Sequence, residues 1–221
     1  MNSSRRVLIF SAHADDEVLG AAGAIAHHAV QGDDVRVIIC ADCRAARPGH
    51  AAAPALLPAA EKAAEVLGAL EVVFLGYRGM TLGQDVLGLT RAIEAELRTS
   101  TPHIVYTHHA HDLNSDHRAV SRAVMVATRP FGAHRPARVL HFEVPSSTGW
   151  ETPATFAPSV FLSLSEALLD KKLAAMACYA EEMRPAPHPR SLEALRVRAA
   201  YWGQQCGCAY AEPYMLMREV M

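Results

Sequence analysis

Short continuous apolar runs, separated by amphipathic helical stretches, constrain this chain more than any other feature. Val7-Leu8-Ile9-Phe10, Val35 to Cys40, Glu71 to Leu75, His103 to Thr107 and Arg138 to Val144 are β-rich and strand-length. Between them, Asp16 to Val30, Glu61 to Leu67, Val86 to Leu97 and His117 to Ala127 carry helical periodicity, as where Val18, Leu19, Ala22, Ile25, Ala26 and Ala29 share a face. Strands that are apolar throughout, rather than at every second residue, are buried on both sides, which is the signature of a parallel sheet covered by helices. The expectation is an α/β fold: one Rossmann-like domain spanning 1–221, with a mostly parallel sheet and helices on both faces. Further on, Phe161-Leu162-Ser163-Leu164 reads as a short strand. Ser165 caps a helix reaching about Met183, the prolines at 185, 187 and 189 stop it, and Ser191 caps a last helix to Gln204.

With 51% hydrophobic residues in 221, the chain has material for a sizeable core. Its net charge of −2 excludes the broad basic surface that binds nucleic acid or acidic lipid. No apolar run approaches the roughly 20 residues of a membrane span, and the apolar stretch after Arg5 and Arg6 is too short for a signal peptide, so a cytoplasmic protein is expected. Five cysteines argue against a disulfide framework. The Cys40/Cys43 and Cys206/Cys208 pairs read as buried, reduced thiols.

Ligands of such sheets bind beyond the carboxyl ends of the strands, which directs attention to segments 11–17, 41–50, 76–83, 108–117 and 145–150. Two are dense in metal-ligand chemistry. After the first strand stands Ala12-His13-Ala14-Asp15-Asp16-Glu17, one imidazole and three consecutive carboxylates at a helix start. The helix dipole favours anions there by about 1 kcal/mol, yet adjacent carboxylates repel, and a bound dication would resolve that conflict. His13 and Asp16, three apart, can converge while Asp15 points elsewhere. After the fourth strand, His108 to His117 holds four histidines and two aspartates in ten residues. The two loops together can supply two imidazoles and one carboxylate, a ligand set of catalytic zinc or non-haem iron(II). His27, His28, His50, His134 and His141, standing alone, read as solvated. A dinucleotide site, suggested by Asp42 at the end of the second strand, is disfavoured. Gly20 and Gly23 lie inside the helix rather than before it, and three carboxylates stand where a pyrophosphate would bind.

These residues resemble the LmbE-like family of zinc deacetylases, which includes the N-acetylglucosaminyl-phosphatidylinositol de-N-acetylases. The family's P/A-H-P-D-D-E motif is matched by Ala12 to Glu17, with Ala14 where Pro is usual, and its D-L-N-x-D-H motif by Asp112 to His117. Tyr179, Pro187 to Ser191, Gly207 and Tyr210-Ala211-Glu212 extend the likeness. The resemblance implies His13, Asp16 and His117 as ligands of Zn2+, with Fe2+ the alternative, and Asp15 as general base. Glu17, Asp116 and Asp112 would stand behind the ligands and orient them. Where one branch has a proton-donating histidine, this chain has Asn114, able to give a hydrogen bond to an oxyanion but not a proton. His188 ranks first to replace it, before His109 and His111. Where many members place an aspartate after the third strand, this chain has Arg78-Gly79. Arg190 and His109 are the candidates for substrate contact. The implied reaction is hydrolysis of an N-acyl group, N-acetyl by preference, from a small amino-sugar substrate, with a metal-dependent hydratase of a small unsaturated acid as the alternative. No nucleic-acid or membrane partner is expected, and a homo-oligomer is compatible with the sequence.

Overall fold

The computed structural model describes residues 4–42, 56–131 and 135–221. In chain order the elements are β1 (Arg6–Ser11), α1 (Asp16–Val30), β2 (Asp34–Asp42), α2 (Leu56–Leu67), β3 (Glu71–Arg78), a 3-10 turn (Leu82–Gln84), α3 (Val86–Ser100), β4 (Ile104–His108), α4 (Ser115–Ala127), β5 (Arg138–Phe142), β6 (Val160–Leu164), α5 (Glu166–Ala177), α6 (Leu192–Cys206) and β7 (Tyr210–Glu219). They build one α/β domain around a seven-stranded sheet of order β3-β2-β1-β4-β5-β7-β6. The first five strands run parallel, while β7 is antiparallel to both β5 and β6. The chain leaves β1 toward one edge through β2 and β3, then returns to lay β4 on the other side of β1. The strand order therefore reverses between β1 and β4, and a crevice opens there beyond their carboxyl ends. Both histidine- and aspartate-rich loops start at that crevice.

Alternation along β1 divides the core. Val7 and Ile9 face the layer with α1, α2, α5 and α6, and Leu8 and Phe10 face the layer with α3 and α4, where they meet Leu89, Ile93, Val120 and Val124. The expected fold class is observed, with two differences in the last third. The helix capped by Ser165 ends at Ala177, not near Met183, because 178–182 continue as separate turns closed by Tyr179 N–H to Met176 O and Glu182 N–H to Tyr179 O. The sequence reading also has no counterpart for β7, whose Glu212-Pro213 breaks the apolar pattern of a strand. Glu212 nonetheless lies in the core. Its carboxylate accepts from the N–H groups of Gly23 and Ala24, from Tyr214 Oη and, at 2.6 Å, from Lys172 Nζ, which also donates to Leu19 O. This buried pair ties α1 to α5 and β7, and each polar group in it has partners, as burial demands.

Gly20 and Gly23 explain how α1 comes so close. A Cβ on Gly20 would stand 2.3 Å from the Phe142 ring and 2.6 Å from Glu143 O, and one on Gly23 would stand 2.5 Å from Leu164. The glycines serve helix–sheet contact, not a phosphate.

Three solvated or buried assignments need correction. Cys40 is buried as expected, but Cys206 is exposed and Cys178 and Cys208 are partly so; Cys43 lies outside the described residues. His28 is buried between Asp33 (2.7 Å) and Tyr106 Oη (3.1 Å) because α1 packs its last turn onto the sheet. His141 is buried on β5, 1% exposed, and burial lowers its pKa to about 4. His50 and His134 lie outside the described residues. The unfolded chain protonates His141 near pH 6.5, whereas the folded chain resists until about pH 4. Between those values the unfolded state holds the extra proton, so stability falls on acidification. Urea unfolding at pH 7, 5.5 and 4 should show His141→Leu losing up to about 3 kcal/mol less than the parent over that window.

Candidate metal centre and active site

The loop after β1 turns sharply into α1. Asp15 takes a left-handed backbone with φ of 106°, uncommon for any residue but glycine and costing about 1–3 kcal/mol. Its N–H donates to Glu17 Oε2 (3.1 Å) and its carbonyl accepts from Val18 and Leu19, so the turn is held from both sides. The twist separates the two aspartates. Asp16 Oδ2 lies 3.3 Å from His13 Nδ1 and 3.1 Å from His117 Nε2, while Asp15 Oδ2 faces Arg190 Nη1 at 3.2 Å.

His13, Asp16 and His117 each offer one ligand atom, all within 4.8 Å of one another, so these three can hold a metal ion. The far nitrogen of each imidazole is already engaged. His13 Nε2 meets Asp116 Oδ2 at 3.0 Å, and His117 Nδ1 meets Asp112 Oδ1 at 3.2 Å and Ser147 Oγ at 3.3 Å. Such carboxylate partners fix the tautomer and aim the other nitrogen inward. Two atoms of these residues, Asp16 Oδ1 and His117 Nε2, are buried without a hydrogen-bond partner among the described residues; Nε2 is near Asp16 Oδ2 but out of line for a hydrogen bond. Orphaned lone pairs on a carboxylate and an imidazole, backed by oriented partners, fit a dication of the zinc or iron(II) type.

The electrostatics agree. Burial alone would lower the pKa of both imidazoles, but Asp116 and Asp16 raise that of His13 to about 10, and Asp16 and Asp112 raise that of His117 to about 9. Burial pushes Asp16 up, yet His117 and His13 overcome it and hold the carboxyl well below its usual range. The site draws positive charge, for which protons and a metal ion compete at the same lone pairs. Burial raises Asp15 well above an ordinary carboxylate, against the opposing pull of Arg190. Burial likewise brings Glu17 to about 7, although the Tyr179 hydroxyl donates to its Oε1.

Asp116 and Asp112 each organise a loop. Asp116 accepts from the backbone N–H of Met80 (2.5 Å) and Leu82 (3.1 Å) as well as from His13. The segment after β3, without the family's aspartate, thus reaches the site through its backbone. Asp112 accepts from Asn114 N–H, Ser147 Oγ and Thr148 Oγ1. Asn114 is the N-cap of α4, its Oδ1 taking the Asp116 N–H at 2.9 Å. Any hydrogen bond it gives a ligand must therefore come from Nδ2.

Asn114, His117, Ser146, Ser147, His188 and Arg190 line a cleft of about 310 Å³ above these groups. His188 is exposed at its rim, with Nδ1 accepting from Arg190 N–H. Arg190, expected to meet an anionic part of the substrate, instead places Nη1 between Asp15 and Glu182 (2.8 Å). His109 is not brought to the cluster: its Nε2 pairs with Thr155 Oγ1 at 2.8 Å and its ring lies edge-on to Phe156, because consecutive residues leaving β4 point to opposite sides. His108 does reach the cluster. It is fully buried, accepts the Ala12 N–H at 2.8 Å and stacks on His117 with centroids 4.1 Å apart. Its place as the last residue of an all-buried strand was the available signal. Ser147, Thr148 and Glu182 carried none, since lone hydroxyls and carboxylates in loops are common.

Comparison with known proteins bears on the family and the fold. The uncharacterized deacetylase YaiS of Escherichia coli (strain K12) is 27% identical over 186 residues, 79% of this chain and 90% of that protein. GalB, the 4-carboxy-2-hydroxymuconate hydratase of Pseudomonas putida KT2440, superposes with a TM-score of 0.75 at 25% identity over 98% of both chains. The N,N'-diacetylchitobiose deacetylase of Pyrococcus horikoshii shares the fold, with a TM-score of 0.78 at 19% identity over 97% of this chain and 84% of the other. The model of the family described as PIG-L, GlcNAc-PI de-N-acetylase, matches residues 8–128, which include both histidine- and aspartate-bearing loops. With that match spanning more than half of its length and every cluster residue from His13 to His117, the chain belongs to the GlcNAc-PI de-N-acetylase family.

Proposed function

We propose that the protein is a metal-dependent hydrolase that removes an N-acyl group, N-acetyl by preference, from an amino sugar or amino-sugar conjugate. The observation that carries this reading is the convergence of His13, Asp16 and His117, with Asp16 Oδ1 and His117 Nε2 buried without hydrogen bonds among the described residues and His117 lining an open cleft. His13, Asp16 and His117 would hold the ion, Zn2+ first and Fe2+ second. A dication held there lowers the pKa of water and polarises an acyl oxygen. Asp15 takes the proton of the attacking water, as a carboxylate beside the ion that is not itself one of its ligands. Asn114 Nδ2 donates to the oxygen that becomes negative. His188, at the rim, gives a proton to the departing amine. Arg190 positions Asp15 through their ion pair, and Glu17 holds the strained Asp15 N–H. Asp116 and Asp112 orient the two imidazoles. The amino-sugar part of the reading draws on the family and on the chitobiose deacetylase that shares the fold.

The likeness to GalB favours one second reading, addition of water across a carbon–carbon double bond with the same ion and base. The two separate in a single preparation of known metal content. Amine and acetate released from an N-acetyl-sugar panel support de-N-acylation. Loss of ultraviolet absorbance from unsaturated carboxylic acids, with no amine released, replaces it with hydration.

Among the described residues no helix is long and apolar enough to cross a membrane.

A further inference from the structure

A second and larger cavity, about 490 Å³, adjoins the 310 Å³ cleft. The same two loops wall both. In the loop after β5, Ser146 and Ser147 face the cleft while Pro145, Thr148 and Trp150 face the groove. In the segment before α6, His188 and Arg190 face the cleft while Pro187 and Pro189 face the groove. The floor is a stripe of α6: Ala194, Val197, Arg198 and Tyr201 stand at i, i+3, i+4 and i+7 and so share one helix face. Arg198 in that stripe pairs with Glu143, while the apolar side chains beside it stand open. Val197 is 69% exposed, Trp150 62% and Tyr201 46%, three large apolar side chains open around one groove.

Thr148, Trp150 and Arg198, three of the polar groups in the groove, already have protein partners. Thr148 Oγ1 accepts the Val144 N–H at 2.8 Å and donates to Asp112, so the loop that walls the groove also braces the partner of His117. The Trp150 indole N–H reaches Pro145 O at 3.3 Å. Arg198 is held by Glu143 in a two-pronged ion pair and lies over the Tyr201 ring, 5.7 Å from its centroid. A second sugar ring would bring hydroxyls with few partners, and an anion would meet a guanidinium already neutralised. A planar apolar ring would meet an indole, a phenol ring, two proline rings and a valine.

We propose that this groove is a binding site for an aryl aglycone, so that the substrate is an N-acyl amino sugar joined to an aromatic group rather than a free sugar or an oligosaccharide. The inference rests on the de-N-acylation reading for the sugar end, because the acetamido group would occupy the cleft while the aglycone lies across Trp150 and α6. Trp150, Val197 and Tyr201 would then set specificity.

The test uses the metal-loaded full chain with N-acetylglucosamine, N,N'-diacetylchitobiose and 4-nitrophenyl N-acetyl-β-glucosaminide. Amine release is followed for each, together with quenching of tryptophan fluorescence by the nitrophenyl glycoside. Trp150 is the exposed one of two tryptophans, so it dominates quenching from the groove. A stacked ring should give the aryl glycoside about a tenfold advantage in kcat/KM over the free sugar. Trp150→Ala and Val197→Asp should each bring that ratio to near unity, whereas partial unfolding would lower both rates together and leave the ratio alone. Turnover of the free sugar with no aryl advantage and no quenching overturns the groove, as does an aryl advantage that survives both substitutions. Quenching without amine release from any sugar overturns de-N-acylation and leaves the groove standing. Neither quenching nor turnover overturns both.

Discussion

Replacing His13 with alanine is expected to strip the purified chain of its ion and to abolish turnover together. His13 brings one of the three converging ligand atoms, and of the three residues it alone comes from the loop before α1. Without it, Asp16 and His117 offer two atoms, short of the three protein ligands usual in a catalytic centre. Asp116 would keep its bonds to Met80 and Leu82, so the loop after β3 has no reason to collapse. Metal content measured by mass spectrometry should fall from stoichiometric to trace. Amine release should fall by more than about 10³-fold, since water without the ion keeps a pKa near its bulk value. Stoichiometric metal in His13→Ala would refute the ligand assignment, whatever the rate.

Substituting Asp15 separates holding the ion from using it. Asp15→Asn is the better variant, because Asn tolerates the left-handed backbone at this position more readily than Ala does. The amide can still contact Arg190 but cannot accept the proton of water. Bound metal should remain, kcat should drop by about 10²–10⁴-fold, and the acidic limb of the rate profile should disappear with the base that titrates there. Asp15→Ala should retain metal too, with a loss of at least about 10²-fold. Turnover that survives both changes would move the base elsewhere, with Glu17 the nearest carboxylate in sequence that is not assigned to the ion.

The architecture was open to reading wherever a segment is buried on both sides, because then its composition alone is diagnostic. Val7 to Phe10 can hardly be anything but a central strand. β7 was hidden because Glu212, a carboxylate in mid-strand, earns its burial only from partners contributed by α1 and α5, and no local pattern announces a partner 189 residues away. The metal cluster was legible for the opposite reason: its residues are costly in any other setting, so their concentration at two strand ends meant something before the ends were known to adjoin. His28 and His141 show the limit of that logic, since an isolated histidine looks the same whether water or a core surrounds it. The ion pairs of Arg190 were not legible, because Asp15 and Glu182 come from two other segments and nothing local in Pro189-Arg190-Ser191 announces them.

The two loops that wall both cavities separate inheritance of chemistry from choice of substrate. The proposed ion ligands and base sit within the first 117 residues, while the surfaces a substrate would touch beyond its acyl group come from residues 145 to 201. If the groove takes part of the substrate as proposed, drift at Trp150, Val197 or Tyr201 would redirect the protein toward new molecules without retuning its reactive core. At Thr148 the two halves are bolted together, and there the freedom ends.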